Sequence, residues 1–124
     1  MSAEQGAAIA VVDDDDSLRH SLLRLFRSAR YSVEGFASAT ELLRSLATRR
    51  PRCVILDLQL PDMSGVELLE RFAKLADAPP VVVITGNDDP RVRDQCVALG
   101  AQRYFRKPLD CESLLEAAGE IVGP

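Results

Sequence analysis

Short apolar runs recur along the chain, and three of them stop at a residue carrying a reactive oxygen. Ala8 to Val12 stops at Asp13-Asp14, Cys53 to Leu56 at Asp57, and Val81 to Ile84 at Thr85. Continuous runs of this length read as strands covered on both faces. Ser32 to Phe36 is a weaker strand, and Tyr104-Phe105-Arg106, which runs into Lys107-Pro108, is the last. Between the strands the apolar positions take up a helical period. From Ser17 to Arg30, Leu18, Leu22, Leu25, Phe26 and Ala29 form one stripe, with arginines mostly opposite. Ser38 with Glu41, and Ser64 with Glu67, are capping boxes. They open two helices, one carrying Leu42, Leu43 and Leu46, the other Leu68, Leu69, Phe72 and Leu75. Asp88-Asp89-Pro90 offers an acidic cap to a helix that Gly100 ends, and its stripe of Val92, Cys96, Val97 and Leu99 is thin. A final helix starts at Asp110 and carries Leu114, Leu115, Ala118 and Ile121.

Five strands alternating with five helices predict an α/β fold: one doubly wound parallel sheet with right-handed crossovers and helices on both faces. The expected strand order is 2-1-3-4-5. It sets the first and third strands side by side at the switch point, where Asp13-Asp14 faces Asp57 across a crevice.

Composition narrows the choice of chemistry more than that of fold. A chain of 124 residues with 47% hydrophobic and 27% charged residues is one ordinary soluble domain. A net charge of −4, with no basic stripe interleaved with aromatics, argues against direct nucleic-acid binding. The start, Met1 to Gly6, lacks a basic and then long apolar leader, and no apolar stretch is long enough to span a membrane. The expected location is cytoplasmic. Cys53, Cys96 and Cys111 are odd in number and lack a C-x-x-C spacing, and His20 is the only histidine. Buried structural thiols explain these cysteines at least as well as a disulfide framework or a zinc site.

The strand ends bring three carboxylates, a hydroxyl and an ammonium to one pocket. Asp57 alone reads equally well as a turn or capping aspartate. With Asp13 and Asp14 beside it, mutual repulsion raises the carboxyl pKa values unless a cation sits among them. Mg²⁺, with Mn²⁺ as the alternative, suits hard oxygen ligands and a phosphate. Asp14 and Asp57 are the expected direct ligands, Asp13 acts through water, and the Gln59 backbone carbonyl completes the set. Lys107 is one of only two lysines against 13 arginines. As a compact point charge it suits a phosphoryl oxygen, although a solvated lysine is the commoner case. Pro108 makes the Lys107–Pro108 bond a candidate cis peptide, against a general preference for trans. Thr85 has a hydroxyl to offer a second phosphoryl oxygen, although strand-end threonines more often satisfy local backbone groups. Together these parts suggest in-line transfer of a phosphoryl group onto Asp57 to give an acyl phosphate.

These residues resemble the response-regulator receiver domain of two-component signalling, and particularly its FixJ-like branch. The resemblance spans Ala8 to Ile121. It rests on Val11-Val12-Asp13-Asp14-Asp15 with Arg19, the run from Leu56 through Leu69, Val83-Ile84-Thr85-Gly86, Gly100-Ala101 and Lys107-Pro108. It implies the flavodoxin-like (βα)5 fold, one receiver unit over residues 7–122 and no output domain in this chain, whether as a stand-alone receiver or a fragment. It also implies Asp57 as phosphoacceptor, Asp13 and Asp14 as metal-site acids, Thr85 as switch hydroxyl, Lys107 as phosphate partner and Tyr104 as switch aromatic. Gly86 keeps the space beside the switch open, and Gln59 and Asn87 hold the positions that tune acyl-phosphate lifetime. From sequence alone, Tyr104 reads as a half-buried aromatic whose hydroxyl reaches water. The implied partners are a sensor histidine kinase or phosphotransfer protein and, on the surface of helix four, strand five and helix five, a homodimer mate or downstream protein. Such a chain assists its own phosphorylation and slow dephosphorylation without being an enzyme in the usual sense.

Three rival readings fit less well. An aspartyl-nucleophile phosphatase wants a second acid where Gln59 stands. A flavin module would meet repulsion between the acids and the flavin phosphate, and a receiver-like module that is never phosphorylated usually has a broken pocket.

Overall fold

The computed structural model describes residues 8–87 and 89–123. The segment read above for a leader, Ala7 at the start of the expected unit, and Asp88 of the acidic cap lie outside the described residues. In chain order the elements are β1 (Ile9–Val12), α1 (Asp16–Ser28), β2 (Val33–Phe36), α2 (Ala39–Ser45) and β3 (Cys53–Asp57). They continue as α3 (Gly65–Ala73), β4 (Val81–Thr85), α4 (Pro90–Ala98), β5 (Arg103–Arg106) and α5 (Cys111–Val122). All neighbouring strands pair in parallel, in the order β2-β1-β3-β4-β5, as the alternation of elements predicts. No helix among the described residues is long and apolar enough to cross a membrane.

The three central strands are buried throughout, which is why they read as unbroken apolar runs. Alternate residues face opposite layers. Val12, Val54, Leu56 and Val83 pack with Leu42, Leu68, Leu69, Phe72 and Cys96 under α2, α3 and α4. Ile9, Val11, Ile55 and Ile84 pack with Leu22, Phe26, Leu114 and Ala118 under α1 and α5. Each large side chain buried this fully contributes roughly 1.5–3 kcal/mol relative to exposure. β5 is an edge strand with only Tyr104 and Phe105 partly covered, so its sequence carries no clean apolar run.

Caps set the helix starts. Ser38 and Ser64 accept from the amides of Glu41 at 3.2 Å and Glu67 at 3.1 Å, as the capping boxes predict. Asp15, Asp89 and Asp110 cap α1, α4 and α5. α1 therefore begins at Asp16. It closes where Arg30 takes φ 72°, a left-handed position more usual for glycine, and the Tyr31 amide donates to Phe26 O at 3.0 Å.

Several expectations are corrected. Leu23 is buried in α1 although it lies off the predicted stripe, whereas Ala29 is exposed. Leu75 lies beyond the end of α3 and is 43% exposed. α4 buries only Cys96 and leaves Val97 57% exposed. Cys53 and Cys96 are buried thiols as expected, and burial pushes Cys53 up to about 12, which makes it inert at neutral pH. Cys111 is instead exposed, at the first turn of α5.

Candidate functional site

The carboxyl ends of β1, β3 and β4 lie side by side because Val12 pairs with Leu56, and Asp57 with Ile84. Asp13 follows β1 directly and is fully buried. Its amide donates to Phe36 O at 3.0 Å, and its Oδ1 accepts from the Asp15 amide at 2.9 Å. Arg19 departs from the solvent-facing pattern of its neighbours and donates Nη1–H to Asp13 O at 2.7 Å. Asp57 ends β3, is 3% exposed, and accepts on Oδ1 from the Gln59 amide at 3.1 Å. Asp14 is exposed. One carboxylate oxygen each from Asp13, Asp14 and Asp57 falls within 4.8 Å of the others.

Lys107 joins this group from the end of β5, where its amide donates to Thr85 O at 2.8 Å and its bond to Pro108 is cis. Its Nζ lies 3.3 Å from Asp13 Oδ2 and 3.3 Å from Asp57 Oδ2. Burial works against the ammonium, but the two carboxylates outweigh it and raise the lysine above its ordinary pKa. Asp57 is also raised. Burial is the largest cause and the Asp13 charge adds to it, while the Gln59 amide and Lys107 pull the other way. One ammonium among three clustered carboxylates leaves an excess of negative charge. That excess and the oxygen-only donor set fit a divalent cation.

Thr85 is fully buried. Its Oγ1 accepts from the Asn87 amide at 3.1 Å, and among the described residues it has no bond to Asp57 or to Lys107 Nζ. Here the hydroxyl takes the local backbone role. Tyr104 is half-buried. Its hydroxyl donates to Asn87 O at 3.4 Å, and the Arg93 guanidinium stands 5.8 Å from its ring centre. Tyr104 therefore touches the loop that follows Thr85. Gln59, Gly86 and Asn87 are exposed, and a Cβ at Gly86 would meet nothing within 4 Å. Of the arginines near α4 and β5, Arg91 pairs with Asp89 and Arg103 with Glu120, each at 3.6 Å. Exposed pairs of this kind contribute about 0–1 kcal/mol.

Two contributors escaped the sequence reading. A Cβ at Gly65 would lie 2.7 Å from Leu58 Cα and 2.9 Å from Asp57 O, so the start of α3 sits directly on the backbone of Asp57 and Leu58. A glycine opening a helical pattern is the only sequence signal for it. Asp62 holds the β3–α3 loop to α2 through hydrogen bonds from Ala39 and Thr40. Nothing local in the sequence announces that partnership.

A five-stranded parallel sheet with an acid cluster and a lysine at its carboxyl edge defines a class of doubly wound α/β domains whose site lies at the switch point. Residues 9–119 match the response regulator receiver domain, and the chain belongs to that family. Response regulator protein TmoT of Ectopseudomonas mendocina is 34% identical over 92% of this chain and 52% of its own length. The chain thus spans about half the length of the curated relatives it matches. A response regulator receiver protein from Burkholderia phymatum superimposes with a TM-score of 0.80 at 37% identity, over 93% of this chain and 94% of its own. A response regulator from Burkholderia pseudomallei, solved with a phosphorylated aspartic acid, a calcium ion and citrate, gives 0.80 at 27% identity, over 91% and 69%. The protein is a receiver domain of two-component signalling.

Proposed function

We propose that this receiver accepts a phosphoryl group on Asp57 from a histidine kinase or phosphotransfer protein in the cytoplasm. The observation that carries the reading is the single ammonium of Lys107, 3.3 Å from both buried carboxylates, Asp13 and Asp57. An Asp57 carboxylate oxygen attacks phosphorus in line as the donor's P–N bond breaks, with the bonding pair leaving on the imidazole. Lys107 turns from the carboxylates to an equatorial phosphoryl oxygen. Asp14, Asp57 and the Gln59 carbonyl would hold Mg²⁺, with Asp13 acting through water. Mg²⁺, or Mn²⁺ in its place, supplies charge neutralisation on the transferring group.

The output follows from the Asn87 loop. The Thr85 hydroxyl, which accepts from the Asn87 amide, turns to donate its proton to a phosphoryl oxygen, and Tyr104 moves inward. The α4, β5 and α5 surface is then redistributed toward a form that binds a second copy or a downstream protein. The phosphoryl group drives this only to the extent that it binds that form more tightly. Gln59 and Asn87, exposed and two residues after Asp57 and Thr85, tune the lifetime of the acyl phosphate. The phosphorylated relative from Burkholderia pseudomallei supports the same chemistry here.

The direct test is intact-protein mass after incubation with a small-molecule phosphodonor, with Mg²⁺ or with a chelator. The expected result is one added phosphoryl group, mapped to Asp57 and dependent on the metal. No gain, or a gain at another residue, overturns the reading. The metal assignment has its own check. Asp14→Ala is expected to weaken Mg²⁺ binding about tenfold or more by calorimetry. Asp16→Ala should leave it nearly unchanged, because Asp16 is exposed and engaged by Arg19. Equal losses would show that the wrong acids had been chosen.

A further inference from the structure

The loop after the acceptor is fastened to a neighbouring helix by one carboxylate. Asp62 accepts from the Ala39 amide at 3.2 Å, from the Thr40 amide at 2.8 Å, and from the Thr40 hydroxyl. These donors belong to the first turn of α2, which Ser38 already caps from within. α2 therefore has a second cap, from a residue 22 and 23 positions away along the chain. The Thr40 hydroxyl chiefly, with the two amides, holds the Asp62 carboxyl below its ordinary pKa, so the side chain is an anion at neutral pH.

The same loop is pinned at both ends. The Gln59 amide donates to Asp57 Oδ1 at 3.1 Å, and the Gly65 amide donates to Leu58 O at 2.8 Å. Among the described residues, Asp62 makes the only hydrogen bonds between this loop and α2. A backbone carbonyl on an untethered loop must be ordered when it takes up a ligand, and that ordering lowers affinity. A loop already fastened avoids the cost.

We infer that Asp62 is a positioning residue for the acceptor site: its bonds to α2 hold the loop bearing the Gln59 carbonyl, so that cation affinity at Asp13, Asp14 and Asp57 depends on it. The inference rests on the metal reading above. It has a reciprocal consequence, because a cation that favours the fastened loop must also favour the fastened α2 turn. Mg²⁺ should therefore slow hydrogen exchange at the Ala39 and Thr40 amides.

Calorimetric titration with Mg²⁺ alone, beside thermal melts and amide exchange, tests it. Asp62→Ala is expected to weaken Mg²⁺ about tenfold, the lower end for groups that orient ligands without touching the metal. Ser38→Ala removes a cap of the same helix but leaves the loop bonds, and it should keep affinity near the wild-type value. Asp62→Asn keeps an acceptor for the Thr40 amide without the charge, and it should retain most of the affinity. If Asp62→Ala does not fold, Thr40→Val deletes the hydroxyl donor alone, with an expected loss of about threefold, below the range for ligand-orienting groups because the two amide bonds remain.

Wild-type affinity in Asp62→Ala, or in Thr40→Val where that variant stands in, overturns the inference. So does an equal loss in Ser38→Ala, which would trace the effect to α2 stability. A loss in Asp62→Asn as large as in Asp62→Ala would show that the retained Thr40 bond does not hold the loop, and would overturn it too. Absence of Mg²⁺ binding in the wild type defeats the metal reading itself, whereas normal wild-type binding with an unaffected Asp62→Ala defeats only this inference.

Discussion

The Asp57→Asn chain is expected to take up no phosphoryl group from a small phosphodonor with Mg²⁺, and to melt higher than the wild type in metal-free buffer. The first outcome follows from chemistry. An amide of nearly the same shape can keep the Gln59 amide bond at Oδ1 but has no anionic oxygen with which to attack phosphorus. The second follows from the electrostatics of the site. Burial first, and the Asp13 charge after it, hold Asp57 above the ordinary carboxylate pKa despite Gln59 and Lys107.

The folded chain thus binds this proton more tightly than the unfolded chain does. Between the unfolded value, about 3.9, and the raised folded value, stability falls as pH rises, and above that window the full cost of the charge remains. Asn removes that cost while Lys107 keeps Asp13 as a partner. The rise in Tm is expected near neutral pH, where the full cost of the buried charge applies. The advantage should shrink as pH falls through the raised Asp57 value. Phosphorylation of the Asn variant at the wild-type level would sink the acceptor assignment. A lower melting temperature would show that the Lys107 contact outweighs the burial of Asp57.

Among the glycines of the described residues, Gly65 is the one where an added Cβ meets the closest backbone atoms, and Gly65→Ala should be strongly damaging. The new Cβ would stand 2.7 Å from both Leu58 Cα and Leu58 Cδ2 and 2.9 Å from Asp57 O. A side-chain tip can swing aside, but two of these atoms are backbone, one of them belonging to Asp57. Relief requires α3 to lift from the loop, which stretches the 2.8 Å bond from the Gly65 amide to Leu58 O. A loss of about 1–3 kcal/mol by urea unfolding is expected, together with slower phosphorylation as Asp57 shifts. Gly86→Ala is the control. Its Cβ meets nothing within 4 Å, so stability should stay within about 0.5 kcal/mol of the wild type. Similar losses at the two glycines would show that conformational freedom, rather than contact with Leu58 and Asp57, is what Gly65 supplies.

Much of this arrangement was legible because it depends on neighbours in sequence. The unbroken runs at β1, β3 and β4 exist because both faces of those strands are covered. The meeting of Asp13, Asp14 and Asp57 then follows from parallel pairing at the switch point. The boxes at Ser38 and Ser64 could be read for the same reason, since cap and partner are three residues apart. What escaped depends on distant partners or on side-chain rotation. Leu23 is buried because it packs against Gly35 and Val33 of β2, and the period of α1 alone cannot show this. Whether the Thr85 hydroxyl turns to Asn87 or to the acids is a choice of rotamer. The grip of Asp62 on Thr40 spans 22 positions with no local pattern at either end.

α4 follows the Thr85 loop in the chain and has one buried side chain, Cys96, to hold it against the sheet, whereas α3 has Leu68, Leu69 and Phe72. Displacing a helix costs roughly the apolar area it uncovers, so α4 rides on a shallow energy surface while α3 sits in a deep well. A shallow well is the lever a small ligand needs. Reversing an equilibrium from 1:99 to 99:1 takes about 5.5 kcal/mol of differential binding, which one phosphoryl group meeting an ammonium and a hydroxyl can approach only if little packing must be broken. On the proposed function, the sparse apolar face of α4, a weak signal for a helix, would be the low mechanical resistance on which phosphorylation of Asp57 acts.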